Sequence, residues 1–323
     1  MNLYFAPMEG LTGYIYRNAH NAFFNNIDRY YSPFISANQS GSLKTRELND
    51  ILPENNKGLV LIPQILTNNA EYFMLTSKRI NLLGYKEVNL NLGCPFRTVV
   101  SKNKGSGFLA KTEELDIFLE EIFSRATTKI SVKTRIGKDQ PEEFYKLIEI
   151  FNKYPLEELT IHPRTQKDFY KNKPNLKIFR EALILSKNPI CYNSDIFTAK
   201  DYKEFVDDFP DVSSVMLGRG LLANPGLTKD IKNNIKIDKK LLREFHDRLY
   251  SDYKNILYGD VNVLYKMKGL WFYMISVFSN NEKYAKKIKK ALRLSDYDEA
   301  ISSLFREQDV LENYEENLAF KDK

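Results

Sequence analysis

The sequence predicts a (β/α)8 TIM barrel followed by a smaller, all-helical C-terminal domain. Three observations carry that expectation. Eight short apolar runs recur roughly 25 to 40 residues apart along the first two-thirds of the chain, the rhythm of repeated βα units. Amphipathic patterns fill the gaps between them. From about residue 235 the strand rhythm stops and only helical patterns remain. A chain of 323 residues has room for a barrel of about 250 residues and an appendage. An open doubly wound sheet is the alternative. It favours a Gly-x-Gly-x-x-Gly turn after the first strand, and none stands there.

The expected strands are residues 3–6, 30–35, 60–65, 88–92, 130–132, 159–161, 189–192 and 215–217. Their near-continuous apolar character fits a parallel sheet covered by helices. Residues 69–83 follow the third strand as a helix. Residues 113–126 carry Leu115, Phe118, Leu119, Ile122 and Phe123 as one apolar stripe, with Thr112 as the expected start. Residues 141–153, 176–186 and 199–209 read alike. Further on, 241–258, 261–278 and 282–294 read as helices, with an acidic tail after Asp296. The expected division is a barrel of residues 1–235 and a helical domain of residues 236–323.

Two cysteines, Cys94 and Cys191, make no disulfide framework and point to a reducing compartment. Residues 1–7 lack the basic start and apolar run of a secretory leader. The longest apolar stretch, 269–278, is half the roughly 20 residues a membrane helix needs. A cytoplasmic, monomeric protein without membrane contact is expected. The net charge of +6 is unevenly placed. Residues 229–293 hold 16 Lys and Arg against 7 Asp and Glu, a local charge of +9. A basic appendage on a near-neutral body suggests a polyanionic partner, and nucleic acid is the commonest. A solvated helical surface is the plain alternative.

Function in such barrels gathers where strands run into their following loops. Strand one delivers Ala6-Pro7-Met8-Glu9-Gly10, strand three Gln64, and strand four Asn91-Leu92-Gly93-Cys94-Pro95. Strand five carries Lys133, then Arg135; strand six ends in His162-Pro163-Arg164; strand seven in Asn193-Ser194-Asp195; strand eight in Gly218-Arg219-Gly220. Loops after the last two strands often bind phosphate, and Arg219 between two glycines suits that task better than an ordinary turn. Lys133 lies in an apolar strand and needs an electron-rich ring, a carbonyl for a Schiff base, or a neighbouring carboxylate. His162 is read as a ligand contact, while His20 and His246 are read as structural. Cys94 projects from a tight turn at the mouth, mostly protonated at neutral pH, and suits an acid as well as a nucleophile. Cys191, inside an apolar run, reads as a small hydrophobe. No cluster has metal-ligand spacing, so no metal is expected.

Together these segments resemble the tRNA-dihydrouridine synthases. The match is carried by Ala6-Pro7-Met8-Glu9-Gly10, Asn89-Leu90-Asn91-Leu92-Gly93-Cys94-Pro95, Gly105-Ser106-Gly107, Val132-Lys133-Thr134-Arg135, His162-Pro163-Arg164-Thr165 and Met216-Leu217-Gly218-Arg219-Gly220. The resemblance implies FMN across the C-terminal mouth, reduction by NADPH or NADH, hydride from flavin N5 to uracil C6, and protonation of C5 by Cys94. It places Pro7, Met8 and Glu9 along the flavin, and Gln64, Lys133 and His162 against its ring system. Asn91 positions flavin or uracil. Asn193, Ser194 and Asp195 meet the ribityl–phosphate arm, and Gly218 and Arg219 the phosphate. The family usually has Gly in place of Ser194, and a positive φ there would strain a serine. A uracil in folded tRNA must leave its stack, at roughly a few kcal/mol. Lys102, Lys104 and the basic helices offset that through phosphate contacts.

Three rivals remain at this point. A barrel flavoenzyme acting on a free pyrimidine, like dihydroorotate dehydrogenase, leaves the basic segment without a purpose. A Schiff-base aldolase on Lys133 predicts a colourless protein. A non-catalytic RNA binder predicts that Cys94 is dispensable.

Overall fold

Every strand pairing in the sheet is parallel, and the ladder runs in chain order around a ring. The computed structural model describes residues 1–318. Six barrel strands are continuous: Asn2–Phe5, Glu87–Leu92, Lys129–Arg135, Leu159–His162, Ile190–Tyr192 and Ser214–Leu217. The second and third, expected as single runs, are each split in two. The second comprises Arg29–Tyr31 and Ile35–Ser36, and the third Leu61–Ile62 and Gln64–Leu66. Prolines at 33 and 63 sit at the breaks, where a residue without an N–H cannot donate to the ladder. Tyr31 pairs with Ile62 and Ile35 with Ile65, so four steps of one strand pass three of the other. The extra residue makes a bulge. Side-chain and carbonyl groups mend the gap: Gln64 N donates to Ser32 Oγ at 3.0 Å, and Asn89 N to the Pro63 carbonyl at 2.9 Å. Because the split halves are consecutive in the chain, the eight positions close into a barrel.

Register is what assembles the site. Asn91 stands beside Lys133, Arg135 beside His162, and Phe5 beside Leu217, just before the loops that carry Met8 and Arg219. The opposite end of the barrel is plugged by polar side chains. Glu158 accepts from Ser214 Oγ at 2.8 Å and Tyr4 Oη at 3.3 Å, and Arg29 pairs with Glu87 at 3.2 Å.

The outer helices follow the expected stripes. Ala70–Leu82 is capped by Asn69, whose side chain accepts from Tyr72 N at 2.9 Å. In Thr112–Arg125 the buried residues are Leu115, Phe118, Leu119 and Ile122. Thr112 is its first helical residue rather than its cap, which is Lys111. Glu143–Phe151, Leu176–Leu185 and Ala199–Asp208 complete the set. No helix among the described residues is long and apolar enough to cross a membrane.

Beyond Asp238 the described residues build four α-helices: Lys239–Ile256, Asp260–Met274, Glu282–Lys290 and Leu294–Glu307. The last corrects the expected acidic tail. Its charges surround a stripe of Tyr297, Ile301 and Leu304, which is buried. Residues 319–323 of that expected tail lie outside the described residues. Tyr297 Oη accepts from Trp271 Nε1 at 2.7 Å and meets His246 Nε2 at 2.8 Å, which ties three of these helices together. Phe245 packs edge-on against Tyr16 and Phe24 of the first barrel helix, Tyr14–Phe24. His20 bridges the Tyr30 hydroxyl and the Pro225 carbonyl, each at 3.0 Å, and is structural as expected.

Candidate active site

A cavity of about 190 Å³ opens at the C-terminal ends of the strands. Cys94, Pro7, Met8, Glu9, Gln64, Asn91, Lys133, His162, Asn193, Ser194, Asp195, Gly218 and Arg219 all line it. The structure thus brings these thirteen residues, named from the sequence, to one cavity.

The floor is a relay of amides. Asn89 Nδ2 donates to Ser131 Oγ at 3.0 Å, Gln64 Nε2 to Asn89 Oδ1 at 2.7 Å, and Asn91 Nδ2 to Gln64 Oε1 at 2.6 Å. The Asn91 carbonyl oxygen then accepts from two backbone N–H groups, Gly93 at 3.0 Å and Cys94 at 2.9 Å. Asn91 thus fixes the turn that presents the thiol. Arg135 holds the same turn from the other side, donating to the Gly93 carbonyl at 3.1 Å and the Thr165 carbonyl at 2.7 Å. Ser106 N and Oγ both donate to the Cys94 carbonyl, at 3.1 and 2.9 Å. Gly105 has φ +55°, and a Cβ there would lie 2.7 Å from that same carbonyl oxygen. Only glycine meets both conditions. Burial pushes the Cys94 thiol up from its ordinary pKa, so it stays protonated.

Lys133 reaches the cavity from mid-strand. No hydrogen bond or ion pair reaches its ammonium among the described residues, so the carboxylate partner that would make it merely structural is absent. Burial, with Arg135 nearby, pushes its pKa down to about 7. Burial and the surrounding cations Arg135, Lys133, Arg164 and Arg219 hold His162 well below its usual value, so the ring is neutral. Its Nε2 faces Arg164 Nη1 at 3.1 Å, which makes that nitrogen the acceptor.

The strand-seven and strand-eight loops gather charge. Asp195 Oδ1 accepts from Arg164 Nη1 at 3.0 Å and Arg219 Nη2 at 2.8 Å, while Oδ2 accepts from Arg164 Nη2. One carboxylate therefore aims two guanidiniums. Arg219 also lies over the Tyr170 ring at 4.4 Å. Ser194 accepts from Arg164 Nη1 at 2.9 Å and is not among the residues with positive φ, so the strain expected of it does not arise. Asn193 spends its amide on the Met216 carbonyl at 2.7 Å, stitching strands seven and eight. At Gly220 a Cβ would lie 2.2 Å from the Ile196 carbonyl oxygen. This glycine is set by close backbone approach.

Several lining residues escaped sequence reasoning. Phe34, Phe96, Tyr170 and Tyr273 wall the cavity with aromatic surface. Phe96 directly follows the Cys94-Pro95 pair, and that adjacency was the available signal. Tyr273 comes from helix Asp260–Met274, and no spacing in the sequence connects it with the strand ends. Among the described residues no group of three or more His, Cys, Asp or Glu is placed to hold a metal ion.

A family model described as dihydrouridine synthase (Dus) matches residues 4–321. The tRNA-dihydrouridine synthase B of Pasteurella multocida is 29% identical over 174 residues, 52% of this chain and 51% of that protein. In that match the chain spans about half the relative's length. The tRNA-dihydrouridine synthase B of Vibrio cholerae is 20% identical over 325 aligned positions, 98% of this chain and 97% of its own. Among solved structures, morphinone reductase superposes with a TM-score of 0.52 at 12% identity, over 73% of this chain and 86% of its own. At that identity the likeness speaks for the barrel.

Proposed function

We propose, from the premise that the chain belongs to the dihydrouridine synthase family, that it reduces a uridine of tRNA to 5,6-dihydrouridine, with FMN as cofactor and NADPH or NADH as electron donor. The observation that carries the flavin half is Lys133, an amine that lines the cavity and has no hydrogen-bonding or ion-pair partner among the described residues, with Arg135 and Arg219 in the same lining. A half-buried cation with no hydrogen-bonding or ion-pair partner among the described residues fits a ligand that brings electron density to it. The residues present fit a flavin phosphate as well, since Arg219, which lines the cavity, is already oriented by Asp195.

When bound, FMN supplies the hydride that adds to C6 of the uracil ring. The chain's own residues do the rest. Pro7, Met8 and Glu9 would wall the ring system, Gln64 and Lys133 would hold its polar edge, and neutral His162 would lie beside it; all six line the cavity. Asn193, Ser194, Asp195, Gly218 and Arg219 serve the ribityl–phosphate end. Asn91 and Arg135 fix the Cys94 turn, and the buried, protonated thiol gives its proton to C5.

In this reading residues 1–235 carry the chemistry and the basic residues 236–323 bind tRNA, in a cytoplasmic monomer. The free-pyrimidine reading leaves the charge of +9 over residues 229–293 unused. The test is a visible spectrum followed by a product assay. Bands near ~450 nm that bleach with NADPH, and dihydrouridine appearing in unmodified tRNA, are expected. A colourless protein that takes up no FMN refutes the flavin half. A flavoprotein inert on tRNA refutes the substrate half.

A further inference from the structure

We propose that one face of helix Asp260–Met274 is a stacking platform for an unpaired base of the tRNA, with Tyr265 at its centre. The proposal rests on the tRNA reading above and names how that substrate is gripped.

The helix has three faces. Val263, Leu264, Met267, Leu270, Trp271 and Met274 are buried in the helical core. A second face meets the barrel mouth: Lys266 Nζ donates to the Gly10 carbonyl at 2.7 Å, Gly269 packs near Leu11, and Tyr273 lines the cavity. The third face is apolar yet open to solvent. Val261 and Tyr265, one turn apart, are each 75% exposed, and Tyr258, just before the helix, is 95% exposed. Phe272, about two turns beyond Tyr265, is half-exposed and packs edge-on against Tyr273 at 5.0 Å. The stripe thus runs from solvent to the wall of the site.

Large exposed aromatics aligned on one face are uncommon on a surface that meets only water. Two occupants fit such a face, a second copy of the chain or a nucleic acid base. Charge separates them. The stripe lies within the segment carrying +9, and Lys266 and Lys268 stand on the same helix, their ammoniums held at the Gly10 and Ala291 carbonyls. A second copy would bring the same charge against it, whereas a polynucleotide brings the opposite one. Aromatic rings flanked by cations are the combination that holds unpaired bases. From Val261 to Phe272 the helix rises roughly 16 Å, enough to follow several nucleotides towards the mouth.

Titration of tRNA onto the flavin-loaded protein over a series of salt concentrations tests this. Tyr265→Ala is expected to weaken binding about 5- to 150-fold, the worth of one base stack. The slope of log affinity against log salt should stay unchanged, because no phosphate contact is lost. Tyr265→Phe keeps the ring and should bind as the parent does. NADPH-driven flavin reduction without tRNA should be equal in all three, which shows an intact fold. Unaltered affinity in Tyr265→Ala overturns the proposal, as does a salt slope that falls with the affinity. A concentration-dependent dimer that Tyr265→Ala abolishes, with tRNA affinity unchanged, assigns the face to a second copy. A parent protein that binds no tRNA refutes the tRNA reading itself, which the Tyr265 variants alone do not touch.

Discussion

Lys133 offers a quantitative test of the flavin reading through protons. In the flavin-free protein its pKa is pushed down to about 7 by burial beside Arg135. A ligand that accepts a hydrogen bond from the ammonium raises that pKa again. At pH 8 a group of pKa about 7 is only about one-tenth protonated, so FMN binding should take up about 0.9 proton per site. At pH 6, where it is already about nine-tenths protonated, the uptake should fall to about 0.1. FMN affinity should therefore drop about tenfold per pH unit above 7, until the pKa of the complex is reached. Calorimetry in two buffers of different ionisation enthalpy reads the uptake directly, and Lys133→Met should abolish it. A parent protein with no uptake at pH 8, or an uptake that survives in Lys133→Met, would refute the assignment. The same shift has a stability consequence. With the folded pKa below the unfolded value of about 10.4, the unfolded chain holds more protons between pH 7 and 10. Flavin-free stability should thus gain from this group as pH rises through that window, by up to about 1.4 kcal/mol per unit.

Cys94→Ala should bind FMN and accept electrons from NADPH, yet lose about 100-fold or more in dihydrouridine formation, read by product analysis on tRNA. Because burial raises the Cys94 pKa, the pH–rate profile should show no thiol-linked fall through the ordinary thiol value of about 8.5; a fall there counts against this acid. Gly220→Ala puts a Cβ against the Ile196 carbonyl oxygen, 2.2 Å away, and backbone cannot yield as a side chain does. A loss of about 1–3 kcal/mol in urea unfolding, with weakened FMN binding, is expected. Asp195→Asn leaves Arg164 and Arg219 without their shared carboxylate. Losing charge-assisted bonds at this half-buried carboxylate should cost about 1.5–3 kcal/mol in urea unfolding, partly restored by FMN.

The parts of the molecule legible in the sequence were those with a local cause. Near-continuous apolar runs and amphipathic stripes revealed the strands and outer helices, and strand ends pointed to the cavity before any geometry was known. What escaped depended on distant partners. The bulge at Pro33 and Pro63 arises from the register between two strands, and either run alone reads as continuous. Asp195 read as a ligand contact, and nothing local in the sequence showed that its oxygens also hold Arg164 and Arg219, which come from two other loops. In Leu294–Glu307 the acidic composition masked Tyr297, Ile301 and Leu304, whose spacing marks a packed helix. Tyr273 was invisible as a site residue because its helix meets the mouth only through tertiary packing.

That last arrangement bears on whether the barrel is a separable module. Helix Asp260–Met274 lends the cavity a wall and anchors the Gly10 carbonyl through Lys266, while Phe245 covers the aromatic flank of Tyr16 and Phe24. A fragment ending near residue 235 would keep all eight strands and every residue of the Cys94 turn. It would nevertheless lack one side of its binding chamber and bare a greasy seam along its first helix. Grafting this C-terminal segment onto a related barrel to redirect which tRNA it serves would therefore alter the flavin's surroundings as well. Under the proposed function, specificity and cofactor environment would be inherited here as one unit.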